Sequence, residues 1–182
     1  MKAQWLMTPA VIVASPILMF SSAAYAQQYL SVEEAQKALF PEAKTFGLKE
    51  VSMDDAAKKI IEDKSGVRVR EPQFKAWRAE SGGKTLGWFF VDKVIGKHEF
   101  ITYACAINAD GSVRGIEVLD YRETYGGEVA HPKWREQFEH KTLADPFKLG
   151  KDIKNISGGT LSCKNITNGV KRLLVTYETL LK

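Results

Sequence analysis

The chain has 182 residues, with 26 Lys and Arg against 22 Asp and Glu and a formal net charge of +4. A charge this mild, carried by scattered basic residues, argues against a nucleic-acid binder. Two cysteines cannot build a disulfide framework, no Cys-x-x-Cys-His run offers a covalent haem site, and His98, His131 and His140 lack metal-ligand spacing.

Residues 1–26 read as a secretory signal. Lys2 is the only charge, an apolar run follows from Trp5 to Phe20, and Ser21 to Ala26 ends in an Ala-x-Ala cleavage pattern. Pro9 and Pro16 interrupt the run, which is short for a span of about 20 residues. The expected product is an exported, single-domain protein that comprises a helical segment, 27–66, and a main body, 67–182. In an oxidising compartment Cys105 and Cys163 could pair, but Cys105 sits in an apolar strand pattern, where a buried free thiol is the commoner outcome.

Ser31-Val32-Glu33-Glu34 is a capping box that predicts a short helix, which Pro41 stops. Ser52-Met53-Asp54-Asp55 opens a second helix that ends at Gly66, with Met53, Ala56, Ile60 and Ile61 on one face. From Val67 to Tyr121 the pattern is β-rich. Short strands are expected at Val67–Arg70 and Phe74–Ala79, with longer ones over Thr85–Val94 and through Ile101, Tyr103, Cys105 and Ile107. Asp110-Gly111 then turns into Val113–Tyr121. Consecutive strands with short turns predict a twisted antiparallel sheet flanked by helices, an α+β fold. Pro132–Phe138 should form a short helix with Pro132 in its first turn. From Leu161 the apolar positions Ile166, Val170, Leu173, Leu174, Tyr177 and Leu181 recur every three or four residues, which predicts a long helix with one buried face.

The segment that opens this last helix is Ser157-Gly158-Gly159-Thr160-Leu161-Ser162. Helix-start N–H groups have no partner within the helix and sit at the positive end of its dipole, so they suit a phosphate. Glycine lets a bulky anion come close to the backbone. The plain alternative is that Ser and Thr only cap the helix. A P-loop is a poor fit because the Lys that follows its second Gly is missing. No Gly-x-Ser-x-Gly elbow supports a serine hydrolase.

Three segments, in order, resemble the FMN-binding domain family, which includes periplasmic subunits of the Rnf and sodium-pumping NADH:quinone reductase complexes. Arg122-Glu123-Thr124-Tyr125-Gly126 resembles that family's Glu-Thr-Pro-Gly loop, and Trp134 to Lys141 its Trp-x3-Phe-x-Gly-Lys segment. Asp152 to Val170 resembles its flavin-attachment segment. The resemblance implies a phosphoester between FMN and Thr160, installed from FAD by a metal-dependent flavin transferase. Ser157, Gly158 and Gly159 would shape the loop, and Ser162 and backbone N–H groups around Leu161 would receive phosphate oxygens. Glu123, Thr124, Tyr125 and Gly126 would lie near the isoalloxazine ring.

The same resemblance implies an exported electron carrier with no substrate of its own, whose partners are periplasmic or membrane-bound electron-transfer proteins. A flavin-free module and one that holds FMN non-covalently are the alternatives. Three positions depart from the family pattern. Gly159 replaces Ala, Lys154 stands where an Asp precedes the motif, and His140 replaces a Gly. If that Gly has positive φ, His costs about 1–2 kcal/mol there. Asn155-Ile156-Ser157 and Asn165-Ile166-Thr167 match glycosylation sequons and are read as coincidental in a bacterial secretory protein.

Overall fold

A computed structural model describes residues 27–182, so the expected signal segment lies outside the described residues. The elements in chain order are β1 (Gln27–Gln28), α1 (Val32–Leu39), β2 (Thr45–Ser52), α2 (Asp55–Ser65), β3 (Gln73–Ser81), β4 (Lys84–Ile95), β5 (Phe100–Asn108) and β6 (Val113–Tyr121). A 3-10 turn at Gly127–Ala130, α3 (Pro132–Arg135), a second 3-10 turn at Glu136–Phe138 and α4 (Thr160–Leu180) complete the fold. The six strands form one sheet in the order β1-β6-β5-β4-β3-β2, and every neighbouring pair is antiparallel. This is the α+β architecture that the strand pattern predicts.

Strand alternation sends successive side chains to opposite faces, and helices cover both. On one face Trp88, Phe90, Tyr103, Cys105 and Ile107 meet the apolar stripe of α4 through Ile166, Val170 and Leu174. On the other, α1 sets Leu39 and Phe40 over Phe89 and the small Ala104 and Ala106. α2 packs beside α4, with Ile61 and Val69 against Val175. Cys105 and Cys163 are both buried and free, in line with the thiol expectation.

The helix starts follow their sequence signals. Ser31 accepts from the Glu34 N–H while the Glu34 carboxylate accepts from the Ser31 N–H, a complete capping box. Asp54 caps α2, and Gly66 ends it in the left-handed region at φ +72°.

Two expectations need correction. Val67–Arg70 is not a strand. The Val69 N–H goes to the Glu62 carboxylate at 2.8 Å and the Val67 N–H to Ser65 Oγ, so this segment is tied to α2 and not to a ladder. Thr45–Ser52, unassigned from its sequence, is an edge strand paired with β3 along its whole length. Only Val51 of β2 is buried and Leu48 is 53% exposed, so its side chains carry little hydrophobic signal. No helix among the described residues is long and apolar enough to cross a membrane.

Candidate functional site

α4 begins at Thr160, and its N-cap is Gly159, which has no side chain with which to cap. None of the motif's three hydroxyls, on Ser157, Thr160 and Ser162, therefore performs the plain capping role. Thr160 is exposed at the first helical position, and its Oγ1 accepts a hydrogen bond from Asn155 Nδ2 at 2.9 Å. Ser157 and Gly158 are exposed in the loop just before it, and Gly158 adopts φ +80°. The first chain-internal bond of the helix start runs from Cys163 N–H to the Gly159 carbonyl at 2.9 Å. The N–H groups of Thr160, Leu161 and Ser162 find no acceptor among the described residues. Three unpaired donors thus sit at a dipole's positive end, in the same helix turn as the exposed Thr160.

Ser162 points the other way. Its side chain is buried and lies 3.2 Å from the Tyr121 hydroxyl, which also donates to the Tyr125 carbonyl at 2.5 Å. Burial raises the Tyr121 pKa although the Ser162 bond opposes it, so this hydroxyl stays protonated and able to donate. Tyr121 is thus the peg that fixes the end of β6, the following loop and the first turn of α4 relative to one another. Leu161 is 46% exposed beside the motif.

The Glu123–Gly126 loop docks directly on the motif. A Cβ on Gly126 would lie 2.6 Å from the Gly159 Cα and 2.9 Å from the Tyr121 hydroxyl, and Gly126 itself adopts φ +86°. Only two glycines let these backbones approach so closely. Tyr125 is 75% exposed, with its Cβ 3.8 Å from where a Gly158 Cβ would be, and so offers an open aromatic face next to Thr160. Thr124 is exposed. Glu123 accepts from the N–H groups of His98 at 2.5 Å and Glu99 at 3.0 Å, which ties this loop to the β4–β5 turn. Burial raises the Glu123 pKa, but N–H groups of Glu99, His98 and Lys97 outweigh it and hold the carboxyl below its ordinary value.

The segment upstream of the motif is fixed from the other side. Trp134 Nε1 donates to the Lys154 carbonyl, and the Lys154 N–H donates to Gln137 Oε1, both at 2.8 Å. Trp134 stacks edge-on with Phe138, their centroids 5.1 Å apart. Lys141 Nζ lies 3.1 Å from Asp152, whose carboxylate also accepts from the Phe147 and Lys148 N–H groups. His140, the position that replaces a glycine, adopts φ +63° and so meets the condition for backbone strain.

Sequence reasoning did not find Asn155 as a site residue, because it appeared there only as part of a sequon. Tyr121 was seen only as the end of a strand. The signal for Tyr121 was available, since a tyrosine just before a glycine-bearing loop needs a partner for its hydroxyl when buried. Among the described residues no group of His, Cys, Asp and Glu is arranged to hold a metal ion.

A helix start with unpaired donors, a closely docked glycine loop and a hydroxyl facing outwards together make a cofactor-holding domain built on an antiparallel sheet. Comparison with known proteins identifies the cofactor as FMN, because residues 96–175 match the FMN-binding domain. One component of the Na⁺-translocating ferredoxin:NAD⁺ oxidoreductase complex of Acetobacterium woodii is 26% identical over 158 residues, which cover 81% of this chain and 74% of that relative. The corresponding component of the proton-translocating ferredoxin:NAD⁺ oxidoreductase complex of Clostridium ljungdahlii is 28% identical over 114 residues, or 58% of this chain and 61% of that relative.

Two solved structures share the fold. One component of the Na⁺-translocating NADH-quinone reductase from Parabacteroides distasonis aligns with a TM-score of 0.52 at 18% identity, covering 82% of this chain and 83% of its own. Shewanella oneidensis NqrC aligns with a TM-score of 0.53 at 16% identity, covering 79% and 84%.

Proposed function

We propose that this chain is an exported flavoprotein that carries FMN through a phosphoester on Thr160 Oγ1 and passes electrons between redox partners. The observation that carries the reading is the state of Thr160. Its hydroxyl is solvent-facing, is not used as a cap, and stands beside three N–H groups without acceptors. The relatives belong to ion-translocating ferredoxin:NAD⁺ oxidoreductase complexes, which supports membrane-bound electron-transfer proteins as partners. The charge, Pro and Ala-x-Ala pattern of residues 1–26 supports export.

Flavin supplies one- or two-electron chemistry and asks of the protein position, polarity and exposure, not a catalytic triad. In this chain the N–H groups of Thr160 and Leu161 would hold phosphate oxygens, and Gly158 and Gly159 leave room for them. The exposed Tyr125 and Leu161 would flank the ring, and Glu123 keeps their loop in register with the β4–β5 turn. Ser162 serves through Tyr121, by locking the helix start to the loop. A covalent link also suits an open compartment. With a micromolar Kd and an on-rate of about 10⁶ M⁻¹s⁻¹, a free flavin would leave on the order of once per second.

The test is co-expression with a flavin transferase, followed by in-gel flavin fluorescence under denaturing conditions and intact mass. Fluorescence that survives denaturation, with the added mass on Thr160, is the expected result. Flavin lost on denaturation would support non-covalent binding, and a colourless folded protein would support a flavin-free module.

A further inference from the structure

β3 pairs with β4 only as far as Ala76 opposite Phe90, whereas β4 continues to Ile95 with β5 on its other side. The two strands therefore splay, and a cavity of about 670 Å³ opens between the last turn of β4, the segment after α2 and the flank of α4. That size falls in the usual range for small-molecule sites. Aromatic rings form much of the wall, from Phe74, Trp77, Phe90 and the 56%-exposed Phe100 at the mouth.

Its charged groups are unusually arranged for a simple packing defect. Arg172 reaches from α4 to Asp92 Oδ2 at 2.6 Å, and the same oxygen accepts from the Tyr103 hydroxyl at 2.7 Å. Burial works against the Arg172 charge, and Asp92 beside it more than restores it. The Arg172 side chain retains 15% exposure, and among the described residues Asp92 is its one hydrogen-bond acceptor and no buried side-chain nitrogen lacks a partner. Its remaining guanidinium donors therefore stay accessible, and Arg172 is one of the residues that line the cavity. Arg68, Arg70, Lys75 and Lys93 add positive charge to the lining, against Glu71 and the already paired Asp92.

Gly169 makes the arrangement possible. A Cβ there would clash with the Tyr103 hydroxyl, which would be pushed off Asp92. None of these residues belongs to the Thr160 motif or its docked loop.

We propose that this cavity binds a planar aromatic molecule with an anionic edge, whose ring lies among the phenylalanines and whose charge is met by the free donors of Arg172. Asn165, at the cavity's near end, is five residues after Thr160, or about 7.5 Å along the helix axis. The site is thus close to the cofactor motif without sharing residues with it.

Naphthoquinone sulfonate is the probe, read by quenching of tryptophan fluorescence from Trp77 in the full exported chain. Saturable quenching is expected, and uncharged naphthoquinone should bind about ten-fold more weakly because it leaves the Arg172 donors unmet. Arg172→Gln should weaken sulfonate binding by about the same factor and leave the uncharged ring unaffected. Should Arg172→Gln fail to fold, Asn168→Phe, which adds bulk to the lining from α4 without adding a tryptophan, decides the matter by abolishing the quench. Thr160→Ala should bind the probe as tightly as the parent chain, which separates this cavity from the flavin site. Non-saturable quenching, equal affinity for charged and uncharged rings, undiminished binding by Asn168→Phe, or loss of binding in Thr160→Ala would each overturn the proposal.

Discussion

Gly126→Ala perturbs the contact on which the site depends. Two separable penalties apply. Gly126 has φ +86°, and forcing an L side chain into that region costs about 1–2 kcal/mol. The new Cβ would also lie 2.6 Å from the Gly159 Cα, a backbone atom that cannot swing aside as a flexible side chain would. Overpacking of this kind costs about 1–3 kcal/mol. Gly158→Ala is the natural control, because φ there is +80° but the added Cβ meets only an ordinary contact, 3.8 Å from the Tyr125 Cβ.

Gly158→Ala should therefore lose only the first penalty, about 1–2 kcal/mol, and Gly126→Ala about 2–5 kcal/mol in total. Urea denaturation followed by circular dichroism measures the difference, provided the m value is unchanged. Flavin incorporation should fall further in Gly126→Ala, since the loop must move away from the motif. Equal stability of the two variants would refute the claim that loop and helix start are held in backbone contact.

Thr160→Ala should abolish covalent flavin yet change stability by no more than about 0.5 kcal/mol, because the lost Asn155 bond is exposed and no cap is removed; chemical denaturation beside in-gel fluorescence checks both halves. Glu123→Gln should remove a pH-dependent contribution to stability. The Glu123 pKa is lowered in the folded state from 4.5, so its contribution is complete above that value and is lost as pH falls through the lower folded one. Thermal melts between about pH 3 and 6 should show the parent losing more stability than the variant on acidification. His140→Gly should relieve a left-handed residue at φ +63° and raise stability by up to about 1 kcal/mol, net of the greater freedom of glycine when unfolded; a higher urea midpoint is the expected reading.

The parts that could be read from sequence are those where burial and periodicity coincide. α4 repeats its apolar positions over most of its length and buries them against the sheet, and β4 and β5 carry residues buried on both faces. β2 could not be read because it is an edge strand whose side chains mostly face water, so pairing with β3 organises it more than any alternation of its own. Val67–Arg70 alternates apolar and basic residues as a strand would, but its buried Val69 packs with α2.

At the site, the motif marked the right helix start but not the direction of each hydroxyl. Thr160 and Ser162 are two residues apart, so they lie on different sides of the helix: Thr160 faces solvent, and Ser162 turns inward to Tyr121. The close approach of Gly126 to Gly159 joins residues far apart in sequence, and no local pattern announces it.

Intact mass of the mature protein, purified from its own host and measured after denaturation, tests the central claim most directly. The account predicts a species heavier than the polypeptide by one esterified FMN, with the addition lost in Thr160→Ala. A colourless protein at the bare polypeptide mass would contradict it.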